Sequence, residues 1–349
     1  MSKLLVHIIP AISINCLIQI IIHEIGHMVG GLITGWNLLY IQIHKWVLKT
    51  EDKGLKIERV SDLAYRCIMY PKSINLNALI YTMGGCIFNL WTSFLGFILL
   101  TMVEMPPLVW LYVWCFSAFG MGIYIINGIA CTKRVCNDKA CYNLLKADRQ
   151  TRICHNAQLL IAKDLAKGLS YKEIGKDMIC LSPDTVNNDI QVFQALLECY
   201  YYLDTRNMLS IGMTLKKIKN TEGVSKEITD ILEMELIYVR LLCELKIHIS
   251  KNPTNPNNLQ GKLDSDIKGF EEAIIKHYRE GDIHSLRVMS LYQVYKYYMA
   301  GDKSRVLEII DKTINKIKKS NLVYKGDLVF CINQLLWVKG LVEYMAVAI

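Results

Sequence analysis

The stretch IIHEIGHMVGG, residues 21–31, decides how the rest of the chain is interpreted. It sets His23, Glu24 and His27 in an otherwise apolar run. Histidines four positions apart project from one face of an α-helix, so both imidazoles can bind one metal ion while the glutamate takes a proton from water. Ionisable residues are costly in lipid and usually have a function there. The stretch therefore predicts a metal-dependent hydrolase whose active helix lies in a membrane.

Charged residues are nearly absent from two long parts of the chain. Within residues 1–43 the only Lys, Arg, Asp or Glu residues are Lys3 and Glu24, and within residues 77–130 the only one is Glu104. Beyond residue 130 charges occur throughout. Because a membrane-spanning helix needs roughly 20 apolar residues, this distribution predicts a membrane domain followed by a domain in water.

The apolar parts divide into three candidate spans, at residues 4–22, 77–103 and 108–130. Only the short turn EMPP separates the last two, which predicts an antiparallel helical hairpin. We therefore expect a mainly α-helical protein. Residues 1–148 would form a transmembrane domain with three core helices, and residues 149–349 a cytosolic helical domain.

Lysine and arginine residues predict the orientation in the membrane. They collect between spans one and two and directly after span three, at Lys45, Lys49, Lys53, Lys56, Arg59, Arg66, Lys72, Lys133, Arg134, Lys139, Lys146, Arg149 and Arg152. The positive-inside rule assigns both regions to the cytoplasm, with the N-terminus outside. Such loops also account for the net charge of +8 better than a nucleic-acid surface does. Short Lys-rich loops fit a bacterial plasma membrane.

A catalytic zinc needs a third protein ligand and one open position. Asp138 follows the helix-breaking pair Asn127-Gly128 at the end of span three, on the same side of the membrane as the motif. Asp62 and Glu58, in the loop after span one, are alternatives. Glu104 belongs to the opposite membrane face. The residues alone leave these ligands open, with Asp138 favoured by its place.

In three motifs, the chain resembles the site-2 protease family of intramembrane zinc metalloproteases. These are HEIGH at 23–27, GGCIFN at 84–89 and the NG…ND pattern at 127–138, in that order. The resemblance covers about residues 4–145 and implies zinc as the cofactor. It implies that His23, His27 and Asp138 bind the metal and that Glu24 is the base. Lys139 stands where the family usually has glycine.

Two further segments of this domain bear on substrate binding. Gly84 and Gly85 allow another helix backbone to approach span two, and Asn89 could hydrogen bond across helices or to a substrate carbonyl. Packing alone is an equally good explanation for all three. Residues 37–60 alternate enough to predict two strands joined by a turn at EDKG. An exposed edge strand there could hold a substrate extended, or the hairpin could only connect the spans.

The rest of the chain is predicted to be almost entirely helical. Residues 199–220 and 295–319 share a Tyr-rich helix end, a polar turn and a second helix, which is typical of helical-hairpin arrays such as tetratricopeptide repeats. Residues 250–265 look like a loop. Residues 166–190 resemble the helix-turn-helix of response regulators, but Asp184 and Asp189 make a poor DNA-reading helix. A helix pair within the array is the preferred interpretation there.

The preferred function is an intramembrane zinc endopeptidase that cleaves membrane-embedded or signal-peptide-derived peptides. Its expected partners are the membrane, a transmembrane or membrane-associated substrate, and a protein bound by the cytosolic helices. Twelve scattered cysteines suit reduced thiols facing the cytosol. The alternatives are a non-catalytic membrane receptor or immunity-type protein, and a membrane-tethered DNA-binding regulator.

Overall fold

The computed structural model describes residues 2–51, 54–132, 136–219, 221–251 and 260–347. These form two compact units, one of residues 1–163 with 188–191 and one of residues 164–187 with 192–349. The described chain is mainly helical, with one two-stranded antiparallel sheet. The predicted mainly α-helical class with a small β-hairpin is therefore confirmed.

Three helices of the first unit are long and apolar enough to cross a membrane. They are α1 (Ser2–Ile33), α2 (Leu79–Met102) and α3 (Pro107–Gly128). Three long apolar helices at the positions of the predicted spans are confirmed, but α1 continues past residue 22. It ends only where Gly35 adopts a φ of +83° and the Trp36 amide donates to the Gly31 carbonyl. The HEIGH motif therefore lies within the candidate span and not after it.

Amides and small residues hold these helices together. The Asn15 and Gln19 side chains of α1 donate to the carbonyls of Tyr112 and Phe116 on α3, at 3.1 and 3.0 Å. A Cβ at Gly120 would lie 2.6 Å from the Gln19 amide nitrogen. Small residues and interhelical hydrogen bonds are the usual means of association where lipid removes the hydrophobic driving force between helices.

A long β-hairpin follows α1. Its strands are β1 (Asn37–Glu51) and β2 (Gly54–Tyr70), so β2 extends well beyond the predicted end at residue 60. Alternating side chains explain the extension, since Cys67 and Met69 point into the core. The central residues of the predicted EDKG turn, 52 and 53, lie outside the described residues.

The base of the hairpin shares a core with α2 and two further helices, α4 (Asp138–Ala147) and α5 (Arg149–Ala166). Trp36 stacks on Tyr81 with ring centroids 4.8 Å apart. The Tyr81 hydroxyl donates to the Cys67 carbonyl at 2.9 Å, and the Trp36 indole donates to the Asn77 carbonyl at 3.1 Å. Leu145 of α4 is also fully buried in this core. The core thus fixes β2 and α4 relative to α2.

The second unit is helical wherever it has regular structure in the described residues. Its helices are α6 (Tyr171–Ile174), α7 (Lys176–Ile179), α8 (Asp189–Asp204), α9 (Met208–Lys219), α10 (Lys226–Lys251), α11 (Gln260–His277), α12 (Ile283–Met299), α13 (Lys303–Lys318) and α14 (Lys325–Val347). The two predicted hairpins, at residues 199–220 and 295–319, fall on α8 with α9 and on α12 with α13, and α12 packs against α13. Of the predicted loop 250–265, residues 252–259 lie outside the described residues and residues 260–265 are helical.

The helix pair expected at residues 166–190 is wrong. Between the end of α5 at Ala166 and the start of α8 at Asp189, the segment contains only the one-turn helices α6 and α7, and residues 180–188 form no helix. Gly175, with a φ of +96°, ends α6 after one turn. Pro183 then lacks a donor and disfavours helix at the preceding residue. The Ser182 amide donates instead to the Glu198 carboxylate at 2.6 Å.

Candidate metal centre

Three acceptor atoms converge where α1 meets the start of α4. The Nε2 atoms of His23 and His27 lie 3.2 Å apart. Asp138 Oδ2 is 3.0 Å from His23 Nε2 and 3.4 Å from His27 Nε2. The structure therefore brings together the predicted histidine pair and the predicted third ligand.

The second nitrogen of each imidazole has an acceptor of its own. His23 Nδ1 lies 2.6 Å from Asn89 Oδ1, and His27 Nδ1 lies 2.8 Å from the Tyr81 carbonyl. The Asn89 amide nitrogen donates to the Gln19 carbonyl and side chain, which assigns the oxygen to the face toward His23. Both Nδ1 atoms must then carry the proton. In the neutral imidazoles, both Nε2 atoms present a lone pair.

This donor set fits a metal ion. A proton on one Nε2 atom would give a hydrogen bond to only one other acceptor. A metal cation can bind both nitrogen lone pairs and the carboxylate oxygen at the same time. Tetrahedral zinc with bonds of ~2.0–2.2 Å separates its ligand atoms by about 3.3–3.6 Å. The separations between the three acceptors, 3.0 to 3.4 Å, are within a few tenths of an ångström of that spacing.

Asn137 holds Asp138 in position, a role of Asn137 that the sequence did not predict. Its amide donates to the carbonyls of Ile126 and Ile129 at the end of α3, at 2.8 and 2.7 Å. Its oxygen caps α4 by accepting from the Ala140 amide at 3.1 Å. The only signal in the sequence was an asparagine one position before a helix start. Asn137 thus ties α3 to the first residue of α4.

Asp138 is ionised in this setting. Burial acts to raise the pKa of its carboxyl, but when a proton rather than a metal ion lies between the imidazoles and Asp138, hydrogen bonds and charge from His23 and His27 outweigh burial and hold that pKa well below its usual range. The Cys86 thiol also contacts Asp138 Oδ2, at 3.5 Å. An anionic carboxylate is the form that binds a metal ion.

The other acids considered as ligands lie elsewhere. Asp62 accepts from the Arg66 guanidinium at 2.6 Å, and Glu58 pairs with Lys49 at 2.9 Å, both within the hairpin. Glu104 lies in the link between α2 and α3, near the opposite end of the spans from Asp138. The structure does not bring these three acids to the histidines.

Glycines let α1 and α2 cross closely beside the site. A Cβ on Gly26 would overlap the Gly84 carbonyl, and a Cβ on Gly84 would overlap the Gly26 carbonyl. A Cβ on Gly85 would lie 2.6 Å from the His23 ring. The close backbone approach predicted for Gly84 and Gly85 is present at Gly84, whereas Gly85 leaves the space that the His23 imidazole occupies.

Asn89 is fully buried, and its amide is engaged with Gln19 and His23. Of the two partners predicted for this residue, the structure provides the one across the helices. Contact between Asn89 and a substrate carbonyl stays a prediction. In this structure the oxygen and the nitrogen of the Asn89 amide are both already hydrogen bonded. Asn89 therefore acts on the site through His23.

The acceptors open into a cavity of about 280 Å³. It is lined by His23, Glu24, His27, Tyr65, Arg66, Cys67, Tyr81, Thr82, Cys136, Asp138, Cys141 and His155. Glu24 is buried at 7% exposure, whereas Tyr65 on β2 is 43% exposed, so the cavity extends from the motif to solvent. Burial lowers the pKa of His155 to about 4, so this imidazole is neutral near pH 7.

Fold and site together define a chain with three helices able to span a membrane and a His-His-Asp candidate metal centre among them. No protein-family model, curated protein or solved structure matches the chain. Its function is therefore argued from the site.

Proposed function

We propose that this protein is an intramembrane zinc endopeptidase, as its resemblance to the site-2 protease family implies. His23, His27 and Asp138 bind the zinc ion and Glu24 is the general base. The observation that carries the proposal is the convergence of three acceptor atoms beside Glu24 in one cavity. Two histidines and a carboxylate leave a position open on the cavity side, which catalytic zinc sites require.

The metal ion and the chain's own residues have separate roles in hydrolysis. When bound, zinc supplies Lewis-acid chemistry that acidifies a water molecule and polarises a carbonyl. Glu24 takes the proton from the attacking water, whose oxygen adds to the scissile carbon. The carbon–nitrogen bond then breaks, and Glu24 returns the proton to the leaving amine. Asn89 and the Tyr81 carbonyl hold both imidazoles in the required tautomer.

The β1–β2 hairpin offers a strand edge that can hold a substrate in an extended conformation. A helical substrate must unwind before water reaches its amides, and a sheet edge holds a peptide extended through backbone hydrogen bonds. The described sheet has two strands, so each has one unpaired edge, and β2 contributes Tyr65, Arg66 and Cys67 to the cavity. We propose that a transmembrane or membrane-associated peptide, such as a signal-peptide remnant, lies along this strand.

The proposal includes the placement in the cell. Basic loops assign the hairpin and the helical unit to the cytosol, with the N-terminus outside, in a bacterial plasma membrane. Water then reaches the cavity from the cytosolic side, where Tyr65 and Arg66 lie. The helical hairpins of the second unit, which follow a tetratricopeptide-like pattern, would bind a protein partner.

Glu24→Gln tests the base directly. We expect it to retain zinc but to lose about 10³-fold in cleavage rate, whereas Asp138→Ala should lose the metal. Glu104→Gln is the matched control, because it changes the same group at the far end of the spans. Peptidomics of cells with active protein or Glu24→Gln identifies the peptides released, and elemental analysis of purified protein measures the metal.

Two results would overturn the proposal. One is a Glu24→Gln variant that releases the same peptides at the same rate as the unmodified protein. The other is stoichiometric iron in place of zinc, because two histidines and a carboxylate are also the ligands of non-haem iron oxygenases.

A further inference from the structure

An arginine occupies a backbone position in the second unit where glycine is usual. Helices α5 and α12 end with the same pair of hydrogen bonds, and the residue that closes each is Gly168 (φ +95°) or Gly301 (φ +77°). Helix α8 ends in the same way, with the Asn207 amide donating to the Tyr202 carbonyl, but its left-handed residue is Arg206 (φ +59°). A side chain there costs conformational energy. Strain kept at one residue points to a role for its side chain.

The Arg206 side chain lines a cavity of about 220 Å³ at the end of α8. The cavity is lined by Lys172, Asp204, Arg206, Asn333, Gln334, Leu336 and Trp337. The guanidinium carbon lies 5.5 Å from the centre of the Trp337 ring. In the described part of the chain, no carboxylate lies within ion-pair distance of Arg206 or Lys172. The cavity is therefore lined by two cations without an ion-pair partner and by one carboxylate, that of Asp204, so its charged side chains carry a net positive charge.

The remaining lining residues limit what those cations can bind. Asp204 is occupied by the Lys172 backbone amide at 3.0 Å, and Gln334 is held by the Leu203 carbonyl and the Tyr238 hydroxyl. Asn333 makes no hydrogen bond to described residues, so its amide is free to pair with a peptide group. Trp337 and Leu336 supply an apolar wall.

Two cations, a free amide and an indole match a carboxylate that follows a peptide bond. Guanidinium groups bind carboxylates through two parallel hydrogen bonds. The volume is below the roughly 300–1,000 Å³ of sites that enclose a whole drug-sized ligand, which favours the end of a longer chain. We propose that this cavity binds the C-terminal residue of a peptide or protein, with Arg206 and Lys172 on its carboxylate. The proposal is independent of hydrolysis at the metal centre.

Fluorine NMR on the full chain in detergent micelles, labelled with fluorotryptophan, tests the proposal. Trp337→Phe assigns the resonance of Trp337. The probes are a tripeptide mixture with free carboxyl ends, the same mixture as C-terminal amides, and inorganic phosphate. We expect only the free-carboxyl peptides to shift the Trp337 resonance with saturation. An equal shift with the amides or with phosphate, or no shift with any probe, would overturn the proposal.

Arg206→Gly separates binding from structure. Because glycine relieves the left-handed strain, the thermal midpoint should stay level or rise by about 2 °C, while affinity for the free-carboxyl peptides falls at least tenfold. Lys172→Gln should weaken binding in the same sense. Lys176→Gln, a lysine on the adjacent one-turn helix that does not line the cavity, should change nothing. Unchanged affinity in Arg206→Gly would mean that the arginine has no ligand.

Discussion

Two imidazole tautomers govern what the candidate metal centre can bind. Free imidazole exchanges its proton between two nitrogens, and only the nitrogen without a proton can bind a metal. Here an amide oxygen and a backbone carbonyl hold the proton on Nδ1 of His23 and His27. Neither acceptor can donate a hydrogen bond to the ring, so the Nε2 lone pairs are committed to the cavity.

The Asn89→Leu variant tests this arrangement at the level of one residue. Without the amide, the His23 ring loses the acceptor that fixes its tautomer, and we expect metal affinity to fall by about 10–100-fold. Competition with a chromophoric zinc chelator in micelles measures the change. Asn127→Leu removes an amide that, among the described residues, bonds only to its own helix, at the Ile123 carbonyl, and should leave zinc affinity unchanged. Equal affinities in all three proteins would refute a positioning role for Asn89.

At the scale of elements, the position of the proposed third ligand, Asp138, depends on the connection between α3 and α4. Asp138 is the first residue of α4, so a small rotation of that helix start moves its carboxylate away from the histidines. Asn137 prevents such a rotation because it bonds both the end of α3 and the first turn of α4. The Asp138 carboxylate is thus held in place by a capping residue, Asn137, that contributes no atom to the candidate site.

We expect Asn137→Ala to weaken zinc binding more than its effect on stability implies. Loss of an N-cap costs about 0.5–2 kcal/mol, and here the α3 tie is lost with it. Asp302→Ala, which removes the N-cap of α13, should cost similar stability with no change in zinc binding. Zinc titration and thermal unfolding of the three proteins give the comparison. Equal losses of zinc affinity in Asn137→Ala and Asp302→Ala would show that zinc binding follows overall stability and not the position of Asp138.

At the scale of the whole molecule, the two units bury polar groups in different ways. The first unit buries side-chain amides between apolar helices, and the second unit buries an ion pair. Arg287 is fully buried, contacts both Glu235 oxygens at 2.6 Å and lies with its guanidinium carbon 3.9 Å from the Tyr238 ring centre. Burial acts to raise the pKa of Glu235, but the charge of Arg287, with a smaller contribution from His284, outweighs it and lowers that pKa to about 2.

The Glu235→Gln substitution should therefore destabilise the helical unit by about 3–5 kcal/mol near neutral pH, because it leaves a buried guanidinium without a counter-charge. A carboxylate whose pKa is lowered by folding stabilises the protein above its usual pKa of 4.5 and loses that contribution as the pH falls toward about 2. The difference between the two proteins should narrow over that range. Calorimetry of the full chain in micelles at a series of pH values measures the difference.

An exposed ion pair provides the control. Asp311 contacts Lys339 at 2.8 Å, but its side chain is 53% exposed. Asp311→Asn should cost about 0–1 kcal/mol. A Glu235→Gln variant no less stable than Asp311→Asn, or a difference from the unmodified protein that does not change with pH, would contradict a stabilising role for the buried pair.

Local sequence patterns were sufficient to predict several features of the fold and of the candidate site. The three spans follow from apolar composition, and the pairing of His23 with His27 follows from helical periodicity. Asp138 was reachable because it lies at the end of an apolar span on the predicted side. The helix pair at residues 166–190 failed because Gly175 and Pro183 interrupt the helix within a pattern that otherwise resembles one. The predicted end of the first span, at residue 22, differs from the end of α1, because the charged motif interrupts the apolar run without ending the helix.

The sequence by itself determined which residues form the candidate metal centre, since helix spacing and hydropathy are properties of neighbouring residues. Only the tertiary structure decided how those residues are used. Asn89 is 66 positions from His23, and the Tyr81 carbonyl belongs to a residue 54 positions from His27. Contacts across such distances depend on how glycines let α1 and α2 cross and on where Asn137 starts α4. For that physical reason, the imidazole tautomers and the geometry of the candidate metal centre became visible only in the folded chain.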